Sequence, residues 1–361
     1  MATGLIYKCP TCKGELKWTP SRNKWVCEYC DGEFELEDLE AKGLAGTTTQ
    51  VSNTNMIHRE IDEDERDSVV AEDGTGATDV VAYTCSHCGA EIITSRNTAA
   101  MTCVYCGYPM IMGDQFDGEY LPKGVVPFKV EEIEATKKFK EFINKPLTPK
   151  KFLDLVDVQK IQGVYAPFWL YSGTAEGVYN AEGKKVGDWH NNKREIKVYD
   201  CGRKYRLKYK NIPVDASKRI DNDAMDSIEP FDLTELKPFN VGYLAGYLAE
   251  KWDDDKETCY KRAEPRIQET GENVAREDLG KEYDSVTAKV GNTCTIHNTN
   301  TEYVLLPTYL LMAKYADKEY TFAMNGQTGK FIGNLPIDPL KCLLFGAIGA
   351  IVGGLLGYFI I

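Results

Sequence analysis

The sequence predicts an α+β fold, preceded by two small cysteine-rich modules and followed by one apolar helix. Three observations predict it. Four Cys-x-x-Cys pairs crowd into the first 106 residues, mixed helical and alternating patterns begin near Tyr120, and Cys342 to Ile361 carries no charged residue. With 361 residues, 43% hydrophobic and 27% charged, the chain has room for two or three domains and the composition of a globular protein. Lys and Arg total 43 against 55 Asp and Glu, a net charge of -12. That balance excludes a chain-wide positive field for nucleic acid, so any such contact must use a local patch.

The modules span residues 1–36 and 81–115. Each reads Cys-x2-Cys-x14-Cys-x2-Cys, first through Cys9, Cys12, Cys27 and Cys30, then through Cys85, Cys88, Cys103 and Cys106. The second set follows the first at a constant offset of 76, which Glu15/Glu91, Leu16/Ile92 and Tyr29/Tyr105 also keep. The modules are therefore an internal duplication. Paired thiols at this spacing in a long chain read as metal ligands in a reducing compartment rather than as a disulfide framework. Two knuckles place four thiolates around one ion, and the residues between them suffice for a β-hairpin. Two zinc ions per chain are expected, with rubredoxin-like iron as the alternative. Four sulfur ligands close the coordination shell, which makes the expected metals structural. Gly89 and Gly107 follow the second cysteine of their knuckles, where a tight turn with positive φ is often needed.

Residues 37–80 read as an acidic flexible linker, with eight acidic side chains against Arg66 between positions 60 and 73. The α+β domain is expected over 120–337. Within it, Glu131–Asn144 and Asp254–Asp278 read as helices. Strands are expected around Val164–Tyr171, Gly177–Asn180, Ile196–Tyr199, Tyr205–Tyr209, Tyr303–Tyr315 and Glu319–Met324, with Asn325-Gly326 as a turn signal. Residues 342–361 would span ~30 Å as a helix, the thickness of a hydrocarbon core. The expectation is a single-pass transmembrane helix in the cell membrane. Lys330 and Lys341 precede it and put the N-terminal region in the cytoplasm. Gly349, Gly353 and Gly357 form overlapping GxxxG steps, a face for packing against a second copy or another membrane helix.

Enzymatic signatures are missing. There is no P-loop, since Gly329-Lys330 is followed by Phe331, and no H-E-x-x-H or G-x-S-x-G motif. None of the four histidines sits in a triad-like signature, so no catalytic residue is assigned and no enzyme is expected. One stretch is strongly basic. Lys193 to Lys210 holds eight basic residues against Glu195 and Asp200, and Lys204, Arg206, Lys208 and Lys210 alternate with Tyr205, Leu207 and Tyr209. As a strand it packs one face and shows a cationic one, suited to an anionic surface. Cys259 reads as a small core residue of a helix, Cys201 as a turn residue and Cys294 as part of a polar strand.

The knuckles CPTC…CEYC and CSHC…CVYC resemble transcription factor IIB-type zinc ribbons. Other segments extend the resemblance: the acidic linker, PVDASKRIDNDAMDSIEPFD at 213–232, FAMNGQTGKFIGNLP at 322–336 and the apolar terminus. The whole chain resembles a bacterial membrane-anchored tandem zinc-ribbon family, sometimes labelled primosomal-helicase-like or phage-replication-like. That resemblance implies association with phage-shock-protein-A-type and flotillin-type membrane-stress proteins, and it transfers no binding residue. The expected function is a membrane-anchored, cytosol-facing scaffold that recruits protein partners. The alternative is a membrane-tethered nucleic-acid-binding protein using ribbon 1 and the basic strand.

Overall fold

The structure is a computed structural model. It describes residues 9–14, 16–19, 22, 24–27, 29–35 and 38–39, strands at 58–60, 80–84, 91–95, 98–102 and 109–111, and residues 120–360 except 157–160, 191–192, 219, 245–246 and 317. Side chains beyond 350 lie outside this description, as do several within the strands before 120.

The first ribbon is a three-stranded antiparallel sheet of β1 (Leu16–Thr19), β2 (Lys24–Cys27) and β3 (Glu33–Phe34). A second three-stranded sheet holds β4 (His58–Glu60), β5 (Val80–Thr84) and β6 (Glu91–Ser95). After it come β7 (Thr98–Thr102) and β8 (Pro109–Ile111). The offset of 76 holds for backbone pairing as well as for cysteines. Trp25↔Phe34 and Val26↔Glu33 in the first module recur as Met101↔Met110 and Thr102↔Pro109.

The following elements are β9 (Gly124–Val125), α1 (Glu132–Ile143), α2 (Lys150–Leu155), β10 (Gln162–His190) and β11 (Lys193–Asp215). Next are α3 (Asn222–Ile228), β12 (Lys237–Pro238), β13 (Leu248–Glu250), α4 (Lys256–Gly280) and β14 (Ser285–Ala288). The chain ends with β15 (Thr293–Tyr315), β16 (Lys318–Asn325), β17 (Phe331–Gly333) and α5 (Pro339–Ile360). The strand order is β12-β9-β15-β10-β13-β7-β8, with β11 and β14 beside β10, β16 beside β15, and β17 beside β16.

The chain divides into two compact units. The first comprises Met1–Ala166, Lys218–Lys251 and Leu305–Ile361; the second comprises Pro167–Ser217 and Trp252–Val304. The first unit is centred on aromatic rings. Phe128 stacks on Tyr247 at 4.0 Å and meets Tyr165 and Tyr309 edge-on, while the Tyr309 hydroxyl donates to the Val130 carbonyl at 2.8 Å. α1 forms because Glu132 and Glu134 sit at its positive end and Lys140 in its last turn. It buries Ala135, Phe139 and Ile143 at four-residue spacing, with Phe139 and Phe142 against Phe322 and Phe331.

In the second unit β10 and β11 form one long antiparallel hairpin, paired from Phe168↔Asp215 to His190↔Lys193. The four short strands expected here are thus segments of two long ones, because the intervening glycines do not break them. Gly173, Gly177 and Gly183 stand opposite Tyr209, Tyr205 and Tyr199. At Gly173 and Gly177 the missing side chain gives room to the ring of Tyr209 or Tyr205 from the opposite strand, and at Gly183 to the ring of Tyr283, a complement that keeps the ladder intact. Helix α4 lies on the β11 side of this hairpin. Asp255 caps it by accepting from the Thr258 amide at 2.7 Å, and Cys259, Ala263, Ile267, Gly271, Ala275 and Leu279 are its buried row. Gly271 is where the Tyr205 ring comes closest to the helix backbone.

The apolar terminus is helical, as α5. Lys341 lies in its first turn. Among the described residues no helix is long and apolar enough to cross a membrane. This overturns the transmembrane helix expected at 342–361, and with it the single-pass anchor and the cell-membrane localisation that rested on it. The fold that stands is α+β and largely sheet.

Candidate metal centre

Both knuckles of the first ribbon close in the same way. The Cys9 amide donates to the Gly14 carbonyl at 2.7 Å and the Lys13 amide to the Cys9 carbonyl at 2.9 Å. The second knuckle repeats this with Cys27 to Gly32 at 3.0 Å and Asp31 to Cys27 at 2.9 Å. Such a turn needs a left-handed residue after the second cysteine, and Lys13 (φ 63°) and Asp31 (φ 53°) adopt it. Gly14 and Gly32 come next, where a Cβ would press on the rings of Tyr29 and Phe34.

These turns bring the four sulfurs together. Sγ of Cys9 lies 3.5 Å from Cys30, Sγ of Cys12 lies 3.4 Å from Cys27, and all four fall within 4.8 Å of one another. A disulfide would need ~2.0 Å, whereas a tetrahedron with ~2.3 Å metal–sulfur bonds has edges of ~3.8 Å. The separations fit the tetrahedron. Cys9 and Cys27 are buried, Cys12 and Cys30 exposed.

Protonation equilibria express the same crowding. Burial opposes ionisation of Cys9, but hydrogen bonds from the Cys12 and Thr11 backbone outweigh it and bring its pKa to about 6. The Gly32 amide favours a thiolate at Cys30, yet the neighbouring Cys9 and Cys12 sulfurs push it up to about 12. Four thiolates at this distance repel one another, and a divalent cation at their centre removes that penalty. Cys9, Cys12, Cys27 and Cys30 could therefore hold a metal ion. Among the described residues they are the one such group. One site is shown where two were expected, because Cys85, Cys88, Cys103 and Cys106 lie outside the described residues.

The cluster stands on a small aromatic base. Trp18 and Trp25 meet edge-to-face at 5.8 Å, and both contact Tyr243, at 4.9 and 5.7 Å. The Trp18 indole nitrogen also donates to the Phe128 carbonyl at 3.5 Å. Sequence reading missed this attachment, since no local signal links Trp18 to Tyr243.

Other residues singled out by the sequence are dispersed. Lys204, Arg206, Lys208 and Lys210 are exposed on β11, with Tyr205 and Tyr209 buried between them. Arg206 pairs with Glu176 at 2.7 Å. Cys201 lies within β11 rather than in a turn, and its thiol donates to the Ala181 carbonyl at 3.3 Å. Cys259 is buried on α4, which pushes its thiol up to about 12, and Cys294 lies on β15 against the Tyr179 and Tyr205 cluster. No atom stands within 4 Å of a Cβ placed on Gly349, while Gly353 and Gly357 lie beyond the described side chains.

One ion pair escaped sequence reading. Arg262 on α4 donates to Asp215 at the end of β11 at 2.6 Å, and the Asp215 side chain is 0% exposed. The partners are 47 positions apart. A lone acid inside the apolar run before Ala216 was the available signal.

Fold and site define a class: an α+β protein carrying an N-terminal four-cysteine metal-ligand module. The chain is 34% identical to the uncharacterized protein YdjG of Bacillus subtilis (strain 168) over 232 residues, 63% of this chain and 67% of that one. It belongs to the same family as YdjG. No family model and no solved structure matches the chain.

Proposed function

We propose that the chain is a non-enzymatic adaptor for protein partners, with zinc as the structural ion at Cys9, Cys12, Cys27 and Cys30. The observation that carries this reading is the four-sulfur set, which leaves no ligand position for water or substrate. Zinc would supply a cross-link between the two knuckles of a ribbon too small to hold a core alone. A second zinc at Cys85, Cys88, Cys103 and Cys106 is supported by the recurrence of spacing and strand register at the offset of 76. Metal analysis of the purified chain should find two zinc ions. A single zinc would restrict the site to the first ribbon, and iron would replace the assignment.

Proteins of the phage-shock and flotillin type are the first partners to test, because the resemblance of the knuckles and of the 213–232 and 322–336 segments points to them. Crosslinked purification of the full chain, with protein and nucleic acid both quantified, tests the reading. Partners that survive nuclease and are lost on ribbon deletion support it. A second reading, nucleic-acid binding, is favoured by the exposed row Lys204, Arg206, Lys208 and Lys210. It requires nuclease-sensitive material, steep salt dependence and loss of binding when the four become Glu.

A further inference from the structure

β11 is an edge strand. Among the described residues it pairs with β10 alone, and its first eight residues, Lys193–Asp200, are all exposed. α4 meets the strand further along. There Arg203 bonds Asp278 and Glu282 at 2.7 and 3.1 Å, and Tyr205 packs beside Gly271. Ile196 and Val198 are 56% and 55% exposed, unusual for β-branched residues in a sheet. They share one face with Lys204, Arg206 and Lys208, all at even positions with no register shift between them. The outer edge of this stretch offers a row of amide and carbonyl groups, with an apolar pair at one end of the same face and cations at the other.

Charge selects the occupant. Residues 193–210 hold eight basic side chains against Glu195 and Asp200; even with Asp278 and Glu282 beside Arg203 and Glu176 beside Arg206, cations remain in excess here, whereas the whole chain carries -12. A second copy adding along the full strand would set like charge against like, the usual device that protects an edge from self-pairing. An acidic strand gains instead.

We propose that β11 accepts an extended acidic segment of a partner protein as an added strand. Lys193–Asp200 supply the main-chain hydrogen bonds, Ile196 and Val198 the apolar contact, and Lys204, Arg206 and Lys208 the charge. Main-chain pairing gives affinity in this mode, and alternate side chains give specificity. This assigns the adaptor a further surface besides its ribbons and rests on that reading.

The test uses the full zinc-loaded chain and a capped sixteen-residue peptide, with Val on one face of the half that pairs with Lys193–Asp200 and Glu on the same face of the half that reaches Lys204–Lys208. Fluorescence anisotropy should show saturable binding, and hydrogen exchange across Lys193–Asp200 should slow at least tenfold in the complex. The same peptide N-methylated at alternate amides keeps its charge but loses its donors, and it should bind at least tenfold more weakly. Lys204→Glu, Arg206→Glu and Lys208→Glu together should also weaken binding at least tenfold, with circular dichroism unchanged. Equal binding of the methylated peptide, no binding at all, or protection that arises from self-association of the free chain would each overturn the proposal. Crosslinking judges the adaptor reading separately: partners recovered from a chain that ignores the peptide sink the edge assignment alone.

Discussion

The first ribbon and the β10–β11 hairpin are both antiparallel, yet they are held in opposite ways. The ribbon has strands of four, four and two residues, and its apolar base is little more than Leu16, Trp18, Trp25 and Val26. Its order converges on one point, the four sulfurs. The hairpin has no such point: its order is spread along the pairing from Phe168↔Asp215 to His190↔Lys193, over three glycine–tyrosine pairs and along the buried row of α4. Short strands concentrate stability in a cross-link; long ones distribute it. Single changes should therefore differ in size according to which region they strike.

The largest effect belongs to the metal. Cys27→Ser removes one of four ligands, and metal binding in such modules contributes on the order of 10 kcal/mol of folding free energy. The variant should lose the ion of this ribbon and the near-ultraviolet signal of Trp18 and Trp25, and should become protease-sensitive before residue 40. Hydrogen exchange in β10 and β11 should be unchanged. Matching loss of protection in the hairpin would show that the two regions do not stand independently.

Next comes the buried pair in the second unit. Arg262→Leu strands the Asp215 carboxylate without its 2.6 Å donor, a change that typically costs about 3–5 kcal/mol. Urea unfolding of the zinc-loaded chain should register that loss. Replacing both partners, Asp215→Leu with Arg262→Leu, removes the stranded charge and should cost less than Arg262→Leu alone. If the double variant is the worse, packing around Asp215 rather than its charge is what matters.

The glycine–tyrosine pairs should give an intermediate effect. A Cβ at Gly177 would overlap the Thr293 carbonyl and press on the Tyr205 ring, and overpacking of this kind costs ~1–3 kcal/mol. Gly187 is the internal comparison, because the nearest atom to its Cβ position is 3.4 Å away. Gly177→Ala should lower the urea midpoint of the second unit, and Gly187→Ala should leave it in place.

These glycines also show where sequence reading succeeds and fails. The knuckle spacing was legible because tetrahedral sulfur chemistry tolerates few arrangements, and the offset of 76 was legible in the cysteines, while the strand register that follows the same offset was not. α4 was legible from four-residue apolar spacing at Cys259, Ala263 and Ile267, even with Pro265 inside it facing solvent, and α1 from Phe139, Phe142 and Ile143, although Ile133, expected on the same side, is 83% exposed. The long strands were not. A glycine inside a strand signals a break or a close approach, and only residues distant in sequence, Tyr209, Tyr205 and Tyr283, decide between them. The terminal helix failed for another reason: an uncharged run predicts a span from sequence alone, whereas among the described residues no helix is long and apolar enough to cross a membrane. The Asp215–Arg262 and Trp18–Tyr243 contacts were invisible because their partners are far apart in sequence and carry no motif.

The smallest effect separates the two ribbons themselves. The residue after the second cysteine of each knuckle is Lys13 and Asp31 in the first ribbon, Gly89 and Gly107 in the second. Lys13 and Asp31 adopt positive φ, which costs a residue with a Cβ ~1–2 kcal/mol. Glycine avoids that cost but loses more freedom on folding, ~0.5–1 kcal/mol, so the net gain for Lys13→Gly is about 0.5–1 kcal/mol. The amide that donates to the Cys9 carbonyl is retained, and the Lys13 side chain is exposed, so no contact is traded away. The variant should hold its ion several-fold more tightly against a competing chelator. Asp31→Gly should gain less, because a short polar side chain already tolerates the left-handed region. Weaker retention in Lys13→Gly would mean that the lysine charge beside the thiolates, rather than its backbone strain, sets the balance in this knuckle.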